Sequence, residues 1–405
     1  MTTVDRSALM HTYAEPPVTF ASGSGSWLVD TEGRRYLDFL SGLAVTSLGH
    51  AHPAVAEAVG EQARTLSHVS NLFGNTVGPE VAVTIDRLIG GGTDRAGGQV
   101  FFGNSGAEAN ECALKLARRW AGPGRYAVVS TWDAFHGRTL ATLSATGQPA
   151  KQAPFLPLPD GFDHVPYDDL DAMDAACDPA RVAAVLVEPI MGEAGVVVPS
   201  SDYLVGLRQL CTDRNMLLMV DEVQTGLGRT GRWFGFQHLG IEPDVVTLAK
   251  ALGNGMPVGA CWARAEVAAA FQPGDHGSTF GGQPLALSAA RATLGVMESE
   301  DVPGRAVVAG RRLRHALADL PGVVDVRGEG LLLAAVLDRP VAVAAAAAAF
   351  DAGLVINAPR PDVLRFAPSL LVSEEEIGQA VVIVGQVLAA LGAPPCDDSG
   401  PEERS

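Results

Sequence analysis

Short apolar runs, each ended by charged or turn-forming residues, recur through the middle of the chain. Residues 217–220 (LLMV) and 245–248 (VVTL) are the clearest of them. Runs of this length without polar alternation fit strands that are buried on both faces, as in a parallel sheet. The other strand-like runs are residues 100–102, 126–130, 183–188 and 258–262.

Helical patterns lie between most of these strands. Residues 104–120 place apolar side chains at helical spacing, and Ser105 with Glu108 fits a capping box at the helix start. Alternation of buried strands with helices predicts an α/β protein with a mainly parallel sheet flanked by helices. Ahead of it, residues 27–40 predict a small hairpin with two apolar strands around a turn.

After residue 297 the pattern changes to that of a smaller α+β unit. The predicted elements are a helix at 305–320, a strand-like stretch at 323–337 broken at Gly328 and Gly330, a helix at 341–350, a strand at 363–366 and a helix at 374–391. We therefore expect four parts, which are an N-terminal arm with a hairpin (1–52), a large domain (53–297), a small C-terminal domain (298–391) and a disordered tail (392–405).

Composition and charge narrow the possible partners. The chain has 405 residues and a formal net charge of −17, which disfavours a surface for nucleic acid or anionic membranes. Its five cysteines are widely spaced without a CxxC motif, so we expect no disulfide scaffold or zinc ribbon, and a reducing cytoplasm fits. The N-terminus lacks a signal-peptide pattern, and no membrane span is predicted.

Two charged residues stand at the ends of the clearest strands. Asp221 follows the first run, and Lys250 lies just after the second. Open α/β sheets bind ligands at the carboxyl ends of their strands, and pyridoxal phosphate (PLP) needs a Schiff-base lysine and a carboxylate facing its pyridinium nitrogen. Two solvated charges at strand ends would give the same pattern. By itself the pair therefore suggests a cofactor site and does not indicate which reaction takes place there.

Other segments offer groups that fit such a cofactor. Gly106 and Ala107 open a helix directly after a strand, where free N–H groups can bind a phosphate, although a capped helix alone gives the same pattern. Ser278 and Thr279, in HGSTFGG, are small hydroxyl donors suited to phosphate oxygens. Phe135 fits either stacking on a cofactor ring or packing into the core.

Two arginines and two glutamates are candidate substrate contacts. Arg138 fits a clamp for a substrate carboxylate or a surface ion pair, and Arg365 fits a second clamp at a strand end. Glu188 and Glu193, in VEPIMGEAG, could hold a substrate or an arginine side chain. We expect no metal site there, because no histidine or Asp-rich loop accompanies them.

A set of motifs occurs together and in order: NSGAEANE, AFHGRT, VEPIMGEAGVVVP, DEVQTGLGRTG, LAKALG, HGSTFGG and LRFAPSL. With them the chain resembles the class III, ornithine-type aminotransferases of PLP fold type I, over about residues 18–391. The resemblance implies an aspartate aminotransferase-like fold, PLP as cofactor, and a homodimer with active sites shared across the interface. The residues that it assigns to PLP are Gly106, Ala107, Phe135, Asp221, Gln224, Lys250 and Thr279.

By resemblance, each of these residues has a role. Lys250 forms the Schiff base, Asp221 faces the pyridinium nitrogen, and Gln224 faces the phenolic oxygen. Phe135 stacks on the ring. The helix start binds the phosphate in one subunit, and Thr279 reaches it from the other.

The resemblance also assigns the substrate contacts. Arg138 is similar to the arginine that holds the carboxylate of the amino donor, and Arg365 to the one that holds the α-carboxylate of glutamate or 2-oxoglutarate. Glu193 is similar to the acid that pairs with that second arginine when an ω-amine is bound. Ser278 would line the pocket for an acyl group.

Two departures bear on the amino donor. Ornithine aminotransferases carry tyrosines at the positions that match Leu43 and Gly74, and loss of both phenols removes partners for a free α-amino group. An N-acylated donor is therefore favoured. The resemblance then implies transfer of the δ-amino group of N2-acetyl-L-ornithine to 2-oxoglutarate in arginine biosynthesis, giving N-acetyl-L-glutamate 5-semialdehyde and L-glutamate.

Other interpretations stay open. Another class III ω-aminotransferase, acting on succinylornithine, succinyldiaminopimelate, ornithine or 4-aminobutyrate, would carry the same motifs. A PLP-free binding protein on the same fold would not need Lys250. An NAD-binding oxidoreductase would need GxGxxG after a first strand, and no such motif stands in that context.

Overall fold

The computed structural model describes residues 8–392. Residues 1–7 of the predicted N-terminal arm and residues 393–405 of the predicted tail lie outside the described residues.

Strands and helices alternate through most of this range. The strands are β1 (Phe20–Ser24), β2 (Trp27–Asp30), β3 (Arg35–Asp38), β4 (Gly98–Gly103), β5 (Ala127–Thr131), β6 (Phe162–Val165), β7 (Val182–Val187), β8 (Leu217–Asp221), β9 (Val245–Leu248), β10 (Gly259–Arg264), β11 (Val323–Glu329), β12 (Leu332–Leu337), β13 (Leu354–Val355), β14 (Asn357–Arg360) and β15 (Val363–Phe366).

The helices are α1 (Ser41–Ala44), α2 (Pro53–Thr65), α3 (Val77–Ile89), α4 (Gly106–Ala121), α5 (Leu140–Ala145), α6 (Pro149–Gln152), α7 (Leu170–Ala176), α8 (Tyr203–Asp213), α9 (Ala265–Ala268), α10 (Pro284–Ser299), α11 (Val302–Ala318), α12 (Ala342–Asp351) and α13 (Glu374–Gly392). Short 3-10 turns span Ala153–Phe155, Gly235–His238 and Lys250–Gly253.

The central sheet has seven strands in the order β4-β10-β9-β8-β7-β5-β6. Strand β10 runs antiparallel to both of its neighbours, while the other adjacent pairs are parallel. Side chains of β8 alternate between two apolar clusters, with Leu218 and Val220 in one and Leu217 and Met219 in the other. Both faces of the sheet are therefore covered, as the unbroken apolar runs predict.

Two smaller sheets accompany the central one. The C-terminal part forms the antiparallel sheet β11-β12-β15-β14, against which α11 and α12 pack. The N-terminal hairpin joins a sheet in the order β1-β2-β3-β13, so its last strand comes from the C-terminal part. The fold class is confirmed by this arrangement, whereas the domain boundaries at 52/53 and 297/298 stay a prediction.

Most predicted elements are present with small shifts at their ends. The hairpin and the six predicted strands of the central sheet are all found. Strand β6 is missing from the prediction because it lies at the sheet edge and carries Asp163 and His164, so no apolar run marks it. Helix α11 begins three residues before the predicted start, at Val302, because Asp301 caps it.

Helix α13 is long and apolar enough to cross a membrane when judged by length and composition alone, and 28% of that stretch is buried. Its buried residues include Ile377, Ala380 and Val384, and the helix packs against α11 and α12. A core helix passes the same test of length and hydropathy.

The segment that follows β8 is joined to the C-terminal part by a buried arginine. The guanidinium of Arg229 donates to the carbonyl oxygens of Leu331 at 3.1 Å and Pro368 at 2.6 Å, and to the hydroxyl of Ser47 at 3.1 Å. Burial lowers the pKa of Arg229 to about 9. These bonds tie three distant parts of the chain to the strand that carries Asp221.

The start of α4 approaches β10 so closely that only glycine fits at position 259. A Cβ atom on Gly259 would overlap the carbonyl oxygen of Ser105, the residue that precedes α4. Gly295 differs from it, because a Cβ atom there, on the exposed side of α10, would meet no atom of residues 8–392 within 4 Å.

We expect Gly259→Ala to lower the free energy of unfolding by about 1–3 kcal/mol, because the added methyl group must displace the start of α4. Gly295→Ala is the matched control, and it should be neutral or slightly stabilising because alanine is the better helix former. Urea-induced unfolding of both variants measures the difference. Equal midpoints for the two variants would contradict the predicted overlap.

Candidate active site

A cavity of about 410 Å³ lies at the carboxyl ends of β8 and β9, beside the start of α4 and the loop that follows β5. It brings together most of the site residues that the sequence predicts. Those in its wall are Gly106, Ala107, Phe135, Arg138, Glu188, Glu193, Asp221, Gln224 and Lys250. A wider groove of about 810 Å³ near the end of α3 contains none of them.

Asp221 is a buried carboxylate that is held by three donors. Asn110 Nδ2 of α4 donates to its Oδ2 at 2.8 Å, and His136 Nδ1 lies 2.8 Å from the same oxygen. The backbone N–H of Val223 donates to Oδ1 at 3.0 Å. Because a carboxylate only accepts, the His136 proton belongs on Nδ1, and Nε2 faces the hydroxyl of Ser130 at 3.2 Å. The network fixes the direction in which the carboxylate faces the cavity.

Lys250 follows β9 and points into the same cavity. Its φ of 42° lies in the left-handed region, where a residue other than glycine is strained, and such strain often marks functional sites. Burial lowers the pKa of Lys250, although the charges of Glu193 and Asp221 oppose that shift. The amine is therefore neutral more often near neutral pH than an exposed lysine would be.

The start of α4 forms a cap and leaves two amides free. Ser105 Oγ accepts from the backbone N–H of Glu108 at 3.2 Å, as the sequence predicts. The return bond of the capping box differs, because the Glu108 carboxylate accepts from the backbone N–H of Asn104 rather than from that of Ser105. Within the described part of the chain, the N–H groups of Gly106 and Ala107 have no hydrogen-bond acceptor. They remain available to an anion at the helix N-terminus.

Arg365 lies behind the cavity wall on β15 and is almost fully buried. Its guanidinium donates to Glu193 Oε1 at 2.8 Å, to the carbonyl oxygen of Gly192 at 3.0 Å and to Asn357 Oδ1 at 3.1 Å. Burial would raise the pKa of Glu193, but the positive charge of Arg365 outweighs it and lowers that pKa. Arg365 and Glu193 therefore form a direct ion pair at the edge of the cavity.

Phe135 forms part of the wall, and Arg138 is exposed at the mouth. The Arg138 guanidinium lies 5.8 Å from the centroid of the Phe135 ring, and the ammonium group of Lys151 lies 5.2 Å from it. The backbone N–H of Phe135 donates to Glu188 Oε1 at 3.0 Å, which holds the ring in place. Glu188 thus positions Phe135 through the backbone.

Besides Arg365, four residues that the sequence associates with the site do not line this cavity. Ser278 is bound instead by Asn104, whose Nδ2 donates to its hydroxyl at 3.3 Å, and Thr279 is exposed in the adjoining loop. Leu43 and Gly74, the two positions used to infer the amino donor, are also exposed outside the wall. The acyl-pocket role of Ser278 and the phosphate role of Thr279 stay predictions.

A family model described as aminotransferase class-III matches residues 9–388. The chain belongs to the class III aminotransferases. The acetylornithine aminotransferase of Mycobacterium tuberculosis strain H37Rv is 50% identical to it over 392 residues, which is 96% of each chain. The crystal structure of the ornithine aminotransferase from Toxoplasma gondii ME49 superposes with a TM-score of 0.89 at 36% identity, covering 96% of this chain and 94% of that one.

The cofactor of this aminotransferase is PLP. A second structure of the Toxoplasma gondii enzyme, 36% identical with a TM-score of 0.88 and covering 95% of this chain and 93% of that one, reports PLP at its active site. The wall residues present here fit the group. Gln224 Oε1 is buried without a hydrogen-bond partner among residues 8–392, the amides at the start of α4 are free, and Asp221 offers an acceptor to a pyridinium N–H.

The sequence does not predict the residues of this aminotransferase that hold Asp221 and connect it to β9. Asn110 lies one residue before Glu111 in the NSGAEANE motif, but its contact with Asp221 needs the helix and the strand to be placed side by side. Asn110 Oδ1 accepts from the hydroxyl of Thr247 on β9 at 2.7 Å. His136, in the AFHGRT motif, is a packed, hydrogen-bonded histidine, and the sequence does not reveal that its partner is Asp221.

Two buried glutamates should make the stability of the aminotransferase depend on pH. Burial raises the pKa of Glu188 and of Glu222 to about 7, from an ordinary value of 4.5. Both groups are protonated more readily in the folded state than in the unfolded state. The stability that they contribute is full below about pH 4.5 and is lost as pH rises through 7.

We expect the free energy of unfolding to fall between pH 4.5 and 7, by on the order of 2–3 kcal/mol for each of these carboxyls. Glu222→Gln should remove part of that slope, because a neutral amide cannot ionise. Chemical denaturation in steps across this pH range measures it. A wild-type slope that the variant reproduces unchanged would show that Glu222 is not the titrating group.

Proposed function

We propose that this chain is an acetylornithine aminotransferase, which transfers the δ-amino group of N2-acetyl-L-ornithine to 2-oxoglutarate in arginine biosynthesis. Its strongest support is the 50% identity, over 96% of each chain, to a relative of that name. The cavity with two arginines near it also supports a reaction in which one site holds two carboxylate substrates in turn.

Ornithine is the rival donor, because an ornithine aminotransferase from Toxoplasma gondii superposes with a TM-score of 0.89. Identity to that enzyme is lower, at 36%, and the phenols expected of ornithine aminotransferases are absent at Leu43 and Gly74. Both observations favour the acylated donor. Leu43 and Gly74 are exposed in this chain, so their influence on the donor requires a second subunit that covers them.

Lys250 would bind the cofactor covalently and move the proton. PLP, when bound, supplies an electron sink for the carbanion that forms during transamination. Once the amine of the donor has replaced it on the cofactor, the freed Lys250 amine would take a proton from the substrate carbon that bears the δ-amine and would later give that proton back. Its lowered pKa suits this work, because a general base needs a pKa near the working pH.

The remaining wall residues would hold the cofactor in place. Asp221 would accept a hydrogen bond from the pyridinium nitrogen, Gln224 would bind the phenolic oxygen, and Phe135 would stack on the ring. The free amides of Gly106 and Ala107 bind the phosphate at the positive end of α4.

The two arginines would hold the substrates. Arg138 binds the carboxylate of the amino donor with its two-pronged guanidinium. With an ω-amine in the site, Arg365 stays paired with Glu193, as it is here at 2.8 Å. With glutamate in the site, Arg365 takes the α-carboxylate instead. Ser278 would border the acyl group.

We also propose a homodimer in the cytoplasm, with Thr279 reaching the phosphate of the other subunit. Exposed apolar side chains surround that residue, and Leu72, Phe73 and Phe280 are 87%, 72% and 66% exposed. Patches of this kind mark protein interfaces. Asn71 Nδ2 donates to the carbonyl oxygen of Ser278 at 2.9 Å, which joins the two apolar segments.

A side-by-side assay of amino donors tests the proposed function. We expect acetylornithine to give a kcat/KM well above those of ornithine, succinylornithine and 4-aminobutyrate, with 2-oxoglutarate as acceptor. If ornithine were the best donor, the argument from Leu43 and Gly74 would fail. A preference for succinylornithine would keep the mechanism and change only the acyl group.

Borohydride reduction tests the role of Lys250. The lysines of this chain are Lys115, Lys151 and Lys250, so peptide mapping can separate them completely. We expect the pyridoxyl label on Lys250 alone. Lys250→Ala should lose the label and lower kcat by on the order of 10²–10⁴-fold, while Lys115→Ala should keep both label and activity. A label on another lysine would refute the assignment.

A further inference from the structure

Lys151, on α6, is a cation beside the ring of Phe135, which forms part of the cavity wall. Its ammonium group donates to the side-chain oxygen of Gln148. Gln148 Nε2 donates in turn to the carbonyl oxygens of Asp133 at 3.2 Å and Ala134 at 3.1 Å, directly before Phe135. The lysine is thus tethered to the loop that carries the ring, and it is half-buried rather than free in solvent.

Lys151 and Arg138 flank the same ring, and neither charge is neutralised. Their charged groups lie 5.2 Å and 5.8 Å from the centroid of Phe135. In residues 8–392, no carboxylate oxygen lies within 4 Å of either cation. The nearby acids have other partners, since Asp133 pairs with Arg360 at 2.9 Å and Glu193 pairs with Arg365 at 2.8 Å.

Partial burial and the neighbouring charge of Arg138 both lower the pKa of Lys151. A partly buried cation is stabilised by any hydrogen-bond acceptor that replaces the water it has lost. Arginine matches a carboxylate with two parallel bonds, whereas lysine is a point donor suited to a single oxygen. Two unpaired cations side by side therefore fit a substrate with a carboxylate and a second acceptor on a nearby atom.

We propose that Lys151 is a specificity-determining residue that recognises the acyl oxygen of the amino donor and repels a free α-ammonium group. This inference rests on the proposed function and on Arg138 as the carboxylate clamp. The carbon that bears that carboxylate carries an acylamino group in acetylornithine and an ammonium group in ornithine. In 4-aminobutyrate this carbon carries only hydrogens besides the chain. The same holds for glutamate, whose γ-carboxylate would lie on Arg138 when Arg365 holds the α-carboxylate.

The donors thus differ at the atom that Lys151 faces. The acyl carbonyl oxygen accepts a charge-assisted hydrogen bond, which is stronger than a neutral one. A free ammonium group brings a second positive charge beside two others, and like charges in a partly desolvated site repel. A donor with hydrogens alone on that carbon gains nothing from Lys151 and meets no repulsion.

The test compares half-reactions of the holoenzyme and its Lys151 variants with each donor. We expect Lys151→Met to lower kcat/KM for acetylornithine roughly tenfold, mostly through KM, because one charge-assisted bond is lost. Lys151→Arg should retain most of the activity. Lys151→Glu should shift the preference toward ornithine. Rates with glutamate and 4-aminobutyrate should stay within a few-fold of wild type in every variant.

Lys115→Met is the control for the loss of a lysine elsewhere, and thermal melting checks that each variant is folded. Equal losses for acetylornithine, glutamate and 4-aminobutyrate would mean that Lys151 only supports the Phe135 loop, which overturns the inference. An unchanged ratio of acetylornithine to ornithine in a folded Lys151→Met enzyme also overturns it. If the wild-type enzyme itself preferred ornithine, the proposed function would fail together with the inference.

Discussion

The burial of the Asp221 carboxylate is the constraint on which the rest of the site depends. An ionised carboxylate taken out of water costs several kcal/mol unless hydrogen bonds replace the lost water. Here the donors come from Asn110 on α4, His136 in the loop after β5 and the backbone of Val223. One side chain therefore fixes a helix, a strand end and a loop relative to each other.

The same network extends to the strand that carries the lysine. Asn110 donates to Asp221 on β8 and accepts from Thr247 on β9. Lys250 lies only three positions after Thr247, with the left-handed backbone that turns it into the cavity. The acid and the amine are thereby held at a set separation by the side-chain amide of Asn110. Loss of Asn110 would leave the hydroxyl of Thr247 without its acceptor and Asp221 with two donors instead of three, which is costlier than loss of one contact.

The fold could be predicted wherever burial is continuous in sequence. Strands β8 and β9 are buried on both faces, so each one is a single apolar run. Strand β13 has two residues and pairs with β3, more than three hundred positions earlier, so no local pattern can show it. The start of α11 was missed because Pro303 and Gly304 look like helix breakers, yet both are tolerated in a first turn that Asp301 caps.

Whether a site residue can be recognised from the sequence likewise depends on whether its role follows from its local position in a strand or helix. Asp221 and Lys250 stand at strand ends, and Gly106 opens a helix, so the sequence alone marks them. Lys151 could not be marked, because its importance depends on which acids lie near it. Acidic residues outnumber lysines and arginines, 46 to 29, so the composition does not show which cations lack a carboxylate partner. The structure places the nearby acids elsewhere, since Asp133 pairs with Arg360 and Glu193 with Arg365. Within residues 8–392, this acidic protein thus keeps two cations without a carboxylate oxygen within 4 Å, both beside the Phe135 ring of the cavity wall.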